Sequence, residues 1–332
     1  MSLSAQAANP TSTLCTFLDA QLPQRDAIVE QWKDQLHAAP QAAFDVDAGR
    51  RWLGTALEIR LGLDLAGKPA YWELLSFLPA EQCYALLTAA GFAPPDYDHM
   101  PASGTTDPLL LDWNRVTCPT QCEDPTQRAA LAACIDAANF DQLAHRLHAA
   151  PAAQVRRSFL LTFREAGAVQ ADENHPVFRG LHHMWRGYLR HARNELNQLG
   201  ERTIISPPVA VGFAAADLSI GRTLVEVKAS ADPTEYLHIW LNQLLGYLLL
   251  DRFDIFCWDT IAIYLGWHAA IMAVPVEKLL TAATSSLTPA LDHLRTEFHQ
   301  LISKELDEAA MWYLQDRHPI PPQTSTPSRP GG

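Results

Sequence analysis

Residues 216–230, ADLSIGRTLVEVKAS, leave the chain little choice of local structure. Two short runs with β-branched residues flank Gly221-Arg222, and a two-residue connection with glycine first fits a type II′ hairpin turn. That turn sets a register. Ile220 is expected opposite Thr223, Ser219 opposite Leu224, Leu218 opposite Val225 and Asp217 opposite Glu226. Directly opposed residues have Cβ atoms roughly 4.5–5.5 Å apart, and strand alternation returns Lys228 to the side of Glu226. Two carboxylates and one ammonium are therefore expected at one spot. Opposed like charges destabilise a sheet, and a divalent cation between them reverses the sign. Mg²⁺ takes oxygen ligands, keeps several waters and commonly uses one or two carboxylates with substrate phosphate oxygens. The backbone carbonyl of Val227 is a further candidate ligand. Lys228 would sit beside a metal-bound water, to orient or deprotonate it, or to stabilise charge on a phosphate under attack. As a base it needs a depressed pKa. A surface hairpin with Lys228 paired to Glu226 and Asp217 solvated accounts for the same letters, because E-x-K is common in strands.

The following segment shifts the balance toward a site. TEYLHIWLNQLLGYLLL, 234–250, is apolar nearly all round and predicts a buried helix, with Thr234 as its candidate cap. Gln243 and Tyr247 lie four apart and share a face. Buried polar groups need partners; a polar site beneath them supplies some, and so would a satisfied hydrogen bond in the core. The apolar run 239–250 is too short to span a bilayer. Residues 1–13 have neither the basic start nor the apolar centre of a signal peptide. No membrane partner and a soluble, cytoplasmic protein are expected.

A net charge of −12 over 332 residues excludes a whole-protein basic field, so nucleic acid must meet a local patch. Residues 176–199 offer one. They read as a long helix, with Pro176 in its first turn and Gly200 just past its end. Leu181, Trp185, Tyr188, Ala192, Leu196 and Leu199 fall on one face; Arg179, Arg186, Arg190 and Arg193, with His183, fall on the other. That basic face is either solvated or a phosphate contact. Upstream, 14–95 carry helical spacing in four runs, prolines between 94 and 126 mark a long connection, and helical pattern returns over 127–165. Downstream, TIISPPVAVGF, DIFCWDTIAIYLG and HAAIMAVP read as strands, and 275–316 as helix. The fold class is α+β. Six scattered cysteines make no disulfide scaffold. Cys118, Cys122 and Cys134 with His145 or His148 lack the tight pairing of structural zinc ligands.

Asp217, then Glu226-Val227-Lys228, then Gln243-Leu244-Leu245-Gly246-Tyr247 together resemble the PD-(D/E)XK nuclease superfamily. Within it they are most similar to the RecB-like branch, with its downstream Q-x-x-x-Y helix. The resemblance covers about residues 176–275. It implies a restriction-endonuclease-like core, a mixed central sheet flanked by helices, and metal-dependent cleavage of DNA phosphodiesters. By resemblance, Asp217 and Glu226 hold Mg²⁺ or Mn²⁺, Lys228 is catalytic, and Gln243 and Tyr247 support the site or touch nucleic acid. Ala216 stands where the namesake motif has proline, and no cysteine cluster of the iron–sulfur members follows. The family often places an acid or histidine on the helix before the sheet. Glu195, His182 and His183 are the candidates here, each with an ordinary surface role as the alternative.

The expected organisation is a helical accessory region over 1–165, a nuclease-like domain over 166–316 and a disordered tail over 317–332. Two functions compete. One is a Mg²⁺-dependent nuclease acting on DNA, in repair or in defence against foreign DNA. The other is a catalytically silent nuclease fold that binds a protein partner through its acidic helical region.

Overall fold

Strand alternation and a glycine turn build the centre of the molecule. In the computed structural model, which describes residues 2–39, 50–66, 75, 78, 80–93, 114–115, 125–146, 169, 171–284 and 290–317, the hairpin closes in the expected register. Leu218 lies opposite Val225, Ser219 opposite Leu224 and Ile220 opposite Thr223. Gly221 adopts φ +57° and Arg222 keeps a negative φ, as a type II′ turn requires. The two hairpin strands occupy the interior of a five-stranded mixed sheet. Its strands in chain order are β1 (Thr203–Ile205), β2 (Leu218–Ile220), β3 (Thr223–Lys228), β4 (Thr260–Leu265) and β5 (Ala270–Pro275), and neighbours in space follow that same order. All pairings are antiparallel except β3 with β4. A parallel pair needs a long crossover, and the apolar helix Leu237–Leu250 supplies it.

The parallel pair is covered on both faces, as such strands are. Leu218, Ile220, Val225, Val227, Ala262 and Tyr264 face one core. The helices Arg50–Leu65, Ala80–Ala89, Pro125–Arg146 and Pro176–Gly187 pack there. Leu224, Ile261, Ile263 and Leu265 face a second core, shared with the crossover helix and with helices Thr13–Gln21, Asp26–Ala38 and Leu291–Arg317. Each core draws side chains from both sides of residue 165.

Several local expectations change. The helix from Pro176 continues to Gln198 through a π-helical turn at Tyr188–Ala192. Gly200 keeps a negative φ, and its lack of a side chain serves a close approach instead. A Cβ there would stand 2.5 Å from the Gly221 Cα, and a Cβ on Gly221 would stand 2.5 Å from the Leu199 carbonyl oxygen. The two glycines let the helix end seat directly on the hairpin turn. Pro125 opens a helix instead of breaking one. Thr234 does not cap the crossover helix: a 3₁₀ turn, Thr234–Tyr236, precedes it and no side chain caps it. Residues 254–258, expected as strand, form a loop with left-handed Asp254 and Cys257.

Cys118, Cys122 and His148, most of the proline-dense connection and residues 318–332 lie outside the described residues. Cys134 is a buried free thiol that burial pushes up to about 12, away from the thiolate a zinc site needs. Among the described residues no helix is long and apolar enough to cross a membrane.

Candidate active site

Strand β2 begins only at Leu218, and the reason lies in the residue before it. One more step of the hairpin ladder would offer the Val227 N–H to the Ala216 carbonyl. Instead, the Val227 N–H donates to Asp217 Oδ2 at 2.7 Å. The aspartate carboxylate is thereby turned in against β3, and Asp217 is half-buried. Glu226 is buried, 1% exposed, and accepts from Lys228 Nζ through Oε1 at 2.5 Å. Its Oε2 has no hydrogen-bond partner among the described residues. Lys228 Nζ also reaches Gln243 Oε1 at 3.3 Å. Gln243 Nε2 in turn donates to Tyr247 Oη at 2.9 Å and to Ser4 Oγ at 3.1 Å. Glu226, Lys228, Gln243 and Tyr247 therefore form one connected polar chain between sheet and crossover helix, with Asp217, just before β2, bound beside it to the Val227 N–H. The surface-hairpin alternative is set aside by this burial.

Ser4 belongs to a short helix, Leu3–Ala7, that lies on the crossover helix. A Cβ at Gly246 would come within 2.6 Å of Leu3 Cδ1, so the glycine inside QLLGY makes room for this helix and brings Ser4 to Gln243.

Burial, then the neighbouring Asp217, pushes Glu226 up to about 7, against the opposing pull of Lys228. Burial also raises Asp217, against Lys228 and the Val227 N–H. Burial works to lower Lys228, yet Glu226 and Asp217 outweigh it and hold the side chain above an ordinary lysine. Lys228 is thus an ammonium at neutral pH. That arrangement suits charge stabilisation and opposes the role of base, which needs the reverse shift. Burial, then Glu226 and Asp217, raises Tyr247, which stays a neutral phenol.

An acid from an earlier helix does join the cluster, and it is Glu58, on helix Arg50–Leu65. Burial raises it well above a normal glutamate, and the next causes are Asp217, Glu226 and Asp141, with Lys228 opposing. Glu58, Asp217 and Glu226 therefore share the field of the Lys228 ammonium, and Asp141 acts on Glu58. Hard oxygen donors in excess of positive charge, with one buried carboxylate oxygen unsatisfied, fit a hard divalent cation. Among the described residues, no group of three or more His, Cys, Asp or Glu side chains is gathered closely enough to form a finished cage. Mg²⁺ does not require one, since it binds through one or two carboxylates and retains waters.

Other expected residues stand elsewhere. Glu195 is exposed on the helix Arg193–Gln198 and does not act on the cluster. Its outward position follows from Leu196 and Ala192, which take the inner face of that turn. His182 is buried with Nδ1 2.6 Å from Glu173 Oε1. His183 is half-buried, 5.7 Å from the Trp267 ring, and burial lowers its pKa. Arg179 and Arg190 are exposed and Arg186 half-buried, on a helix covering the sheet face opposite Glu226 and Lys228. Arg193 turns inward, with Nε 2.9 Å from Asp64 Oδ2, an oxygen that also accepts from Tyr188 Oη at 2.6 Å. Tyr247, 3% exposed, is a supporting residue and presents no surface to nucleic acid.

Sequence reasoning missed Glu58, Asp141 and Ser4. Glu58 did leave a signal. Its helix is buried nearly all round, through Leu53, Leu57, Ile59, Leu61 and Leu63, and acids are rare on such helices unless paired or functional. Nothing in LSAQA marks Ser4. No family model matches the chain, and no curated protein or solved structure matches it either.

Proposed function

We propose that the protein is a Mg²⁺- or Mn²⁺-dependent nuclease of RecB-like PD-(D/E)XK type that hydrolyses DNA phosphodiester bonds. The observation that carries this reading is the buried Glu226 paired with Lys228, with the half-buried Asp217 and Glu58 acting on the same pair and Glu226 Oε2 unsatisfied among the described residues. Asp217, Glu226 and the Val227 carbonyl would hold the metal, with Glu58 as the helix acid. The metal, when bound, would supply Lewis-acid stabilisation and an activated water. Lys228 stabilises negative charge as it builds on the phosphate oxygens. Gln243 holds the Lys228 ammonium in place, and Tyr247 and Ser4 hold Gln243. Water adds to phosphorus, one P–O ester bond breaks, and the departing alkoxide takes up a proton. Arg179 and Arg190 would meet phosphates of a longer substrate away from the cluster.

The test is cleavage of single-stranded, duplex and branched DNA with Mg²⁺ or Mn²⁺. Metal-dependent products that vanish in Lys228→Ala support the reading. An inert wild-type protein across all three substrates ends it.

One observation favours a second reading, a catalytically silent fold serving as a binding module. Among the described residues, no group of three or more His, Cys, Asp or Glu side chains is placed to hold a metal ion. Under that reading, Asp217→Ala and Lys228→Ala leave partner capture unchanged, and Mn²⁺ gives no binding heat in calorimetry.

A further inference from the structure

Beyond the carboxylates, one group at the cluster has no task in hydrolysis. Trp240 lies one helical turn before Gln243, and its ring centroid is 5.9 Å from Lys228 Nζ. Tyr236, in the 3₁₀ turn before the helix, lies nearly parallel to Trp240, with ring centroids 5.8 Å apart and planes 23° from coplanar. Trp240 is 9% exposed and Tyr236 is 44% exposed. The turn that carries Tyr236 buries no residue, so core packing does not hold the ring there. Two stacked aromatics thus lead outward from the lysine, and the outermost ring stands in solvent.

We infer that Tyr236 is a stacking platform for an unpaired nucleobase of the substrate, so that the site takes single strands or frayed ends in preference to closed duplex. The inference rests on the nuclease reading and adds to it the form of the substrate. A base within a duplex already has both faces covered by its neighbours, so it cannot stack on a protein ring without leaving the helix. A base in a single strand has a free face, and every base has one, so the contact tolerates any sequence. Trp240, fixed between Lys228 and Tyr236, sets the distance from the stacked base to the ammonium that would meet the phosphate. The contact also suits a protein of net charge −12, because stacking recruits a strand without a basic field.

The experiment compares binding of fluorescein-labelled oligothymidine and of a blunt DNA hairpin by anisotropy, alongside cleavage of both with Mn²⁺. Wild-type protein should bind the single strand more tightly. Tyr236→Ala should lose roughly tenfold of that affinity, and Tyr236→Phe should keep it. Hairpin binding should be equal in all three. Moving an abasic position along the oligothymidine tests the wild-type protein alone, and one position should reproduce the loss. If wild-type protein binds and cuts DNA but neither Tyr236→Ala nor any abasic position weakens single-strand binding, the platform is refuted and the nuclease reading stands. If wild-type protein neither binds nor cuts any DNA, both fall together.

Discussion

Glu226 is a buried carboxylate whose proton affinity burial raises. Its pKa of about 7 in the fold, against an ordinary 4.5, means that the folded protein holds a proton there which the unfolded chain releases. Stability without metal should therefore fall as pH rises from about 4.5 through about 7 and then level off. Glu226→Gln imitates the protonated side chain. It is expected to flatten this profile and to gain on the order of 2 kcal/mol over wild type near pH 8 in chelator, read by urea denaturation. The same change should abolish metal-dependent cleavage, so stability and activity move in opposite directions. Glu58→Gln separates the helix acid from the hairpin acids. Under the proposed function it should weaken Mn²⁺ binding in calorimetry by about tenfold, a loss typical of disturbed metal surroundings, while the far-ultraviolet circular dichroism stays that of wild type. Glu195→Gln should leave Mn²⁺ binding unchanged, because the side chain is exposed and apart from the cluster.

At the level of elements, the hairpin turn is the part on which the site depends. Gly221 needs a left-handed backbone, and Gly200 needs the absence of a side chain against Gly221. Gly221→Ala meets both a strained φ and the Leu199 carbonyl oxygen, so it should destabilise by more than about 1 kcal/mol. Gly200→Ala forces backbone apart from backbone, with a cost of roughly 1–3 kcal/mol. Urea midpoints check both. The hairpin register was legible in the sequence because a two-residue turn leaves one way to pair the strands, and a slip by one residue would reverse every side chain. The crossover helix was legible from its apolar run. The basic face of 176–199 was legible as a pattern but not as a location. Helical periodicity assigns Arg179 and Arg186 to one stripe of a cylinder and says nothing of which sheet face that cylinder covers. It also misassigned Arg193, whose partner Asp64 is distant in sequence.

For the whole molecule, the balance of charge that matters is local, not global: Glu226, Asp217 and Glu58 all act on one lysine. Asp136, pushed up to about 6 by burial, adds to the same pH trend. Burial lowers His183, His268 and His299, which works the other way, so the fall in unfolding temperature from pH 5 to pH 8 in chelator should be read as the difference between wild type and Glu226→Gln. Under the proposed function, Mn²⁺ should restore much of the difference near pH 8, because a ligand that binds the folded state stabilises it by mass action. A Mn²⁺ effect equal in Glu226→Gln and wild type would place the metal elsewhere.

By itself the sequence determined the α+β class, the hairpin and its register, the buried crossover helix, and the placing of Glu226 and Lys228 on one side of their strand. Each of these follows from short-range rules: a turn type, a period of two, a period of 3.6. The tertiary structure alone decided that Glu58 comes within the field of Asp217 and Glu226, that Ser4 reaches Gln243, and that Lys228 stays charged. Those outcomes depend on which helices cover which face of the sheet, and on burial that no local spacing encodes. Electrostatic shifts sum over neighbours in space, so Asp217 and Glu226 alter Glu58 across intervals that a sequence pattern does not register.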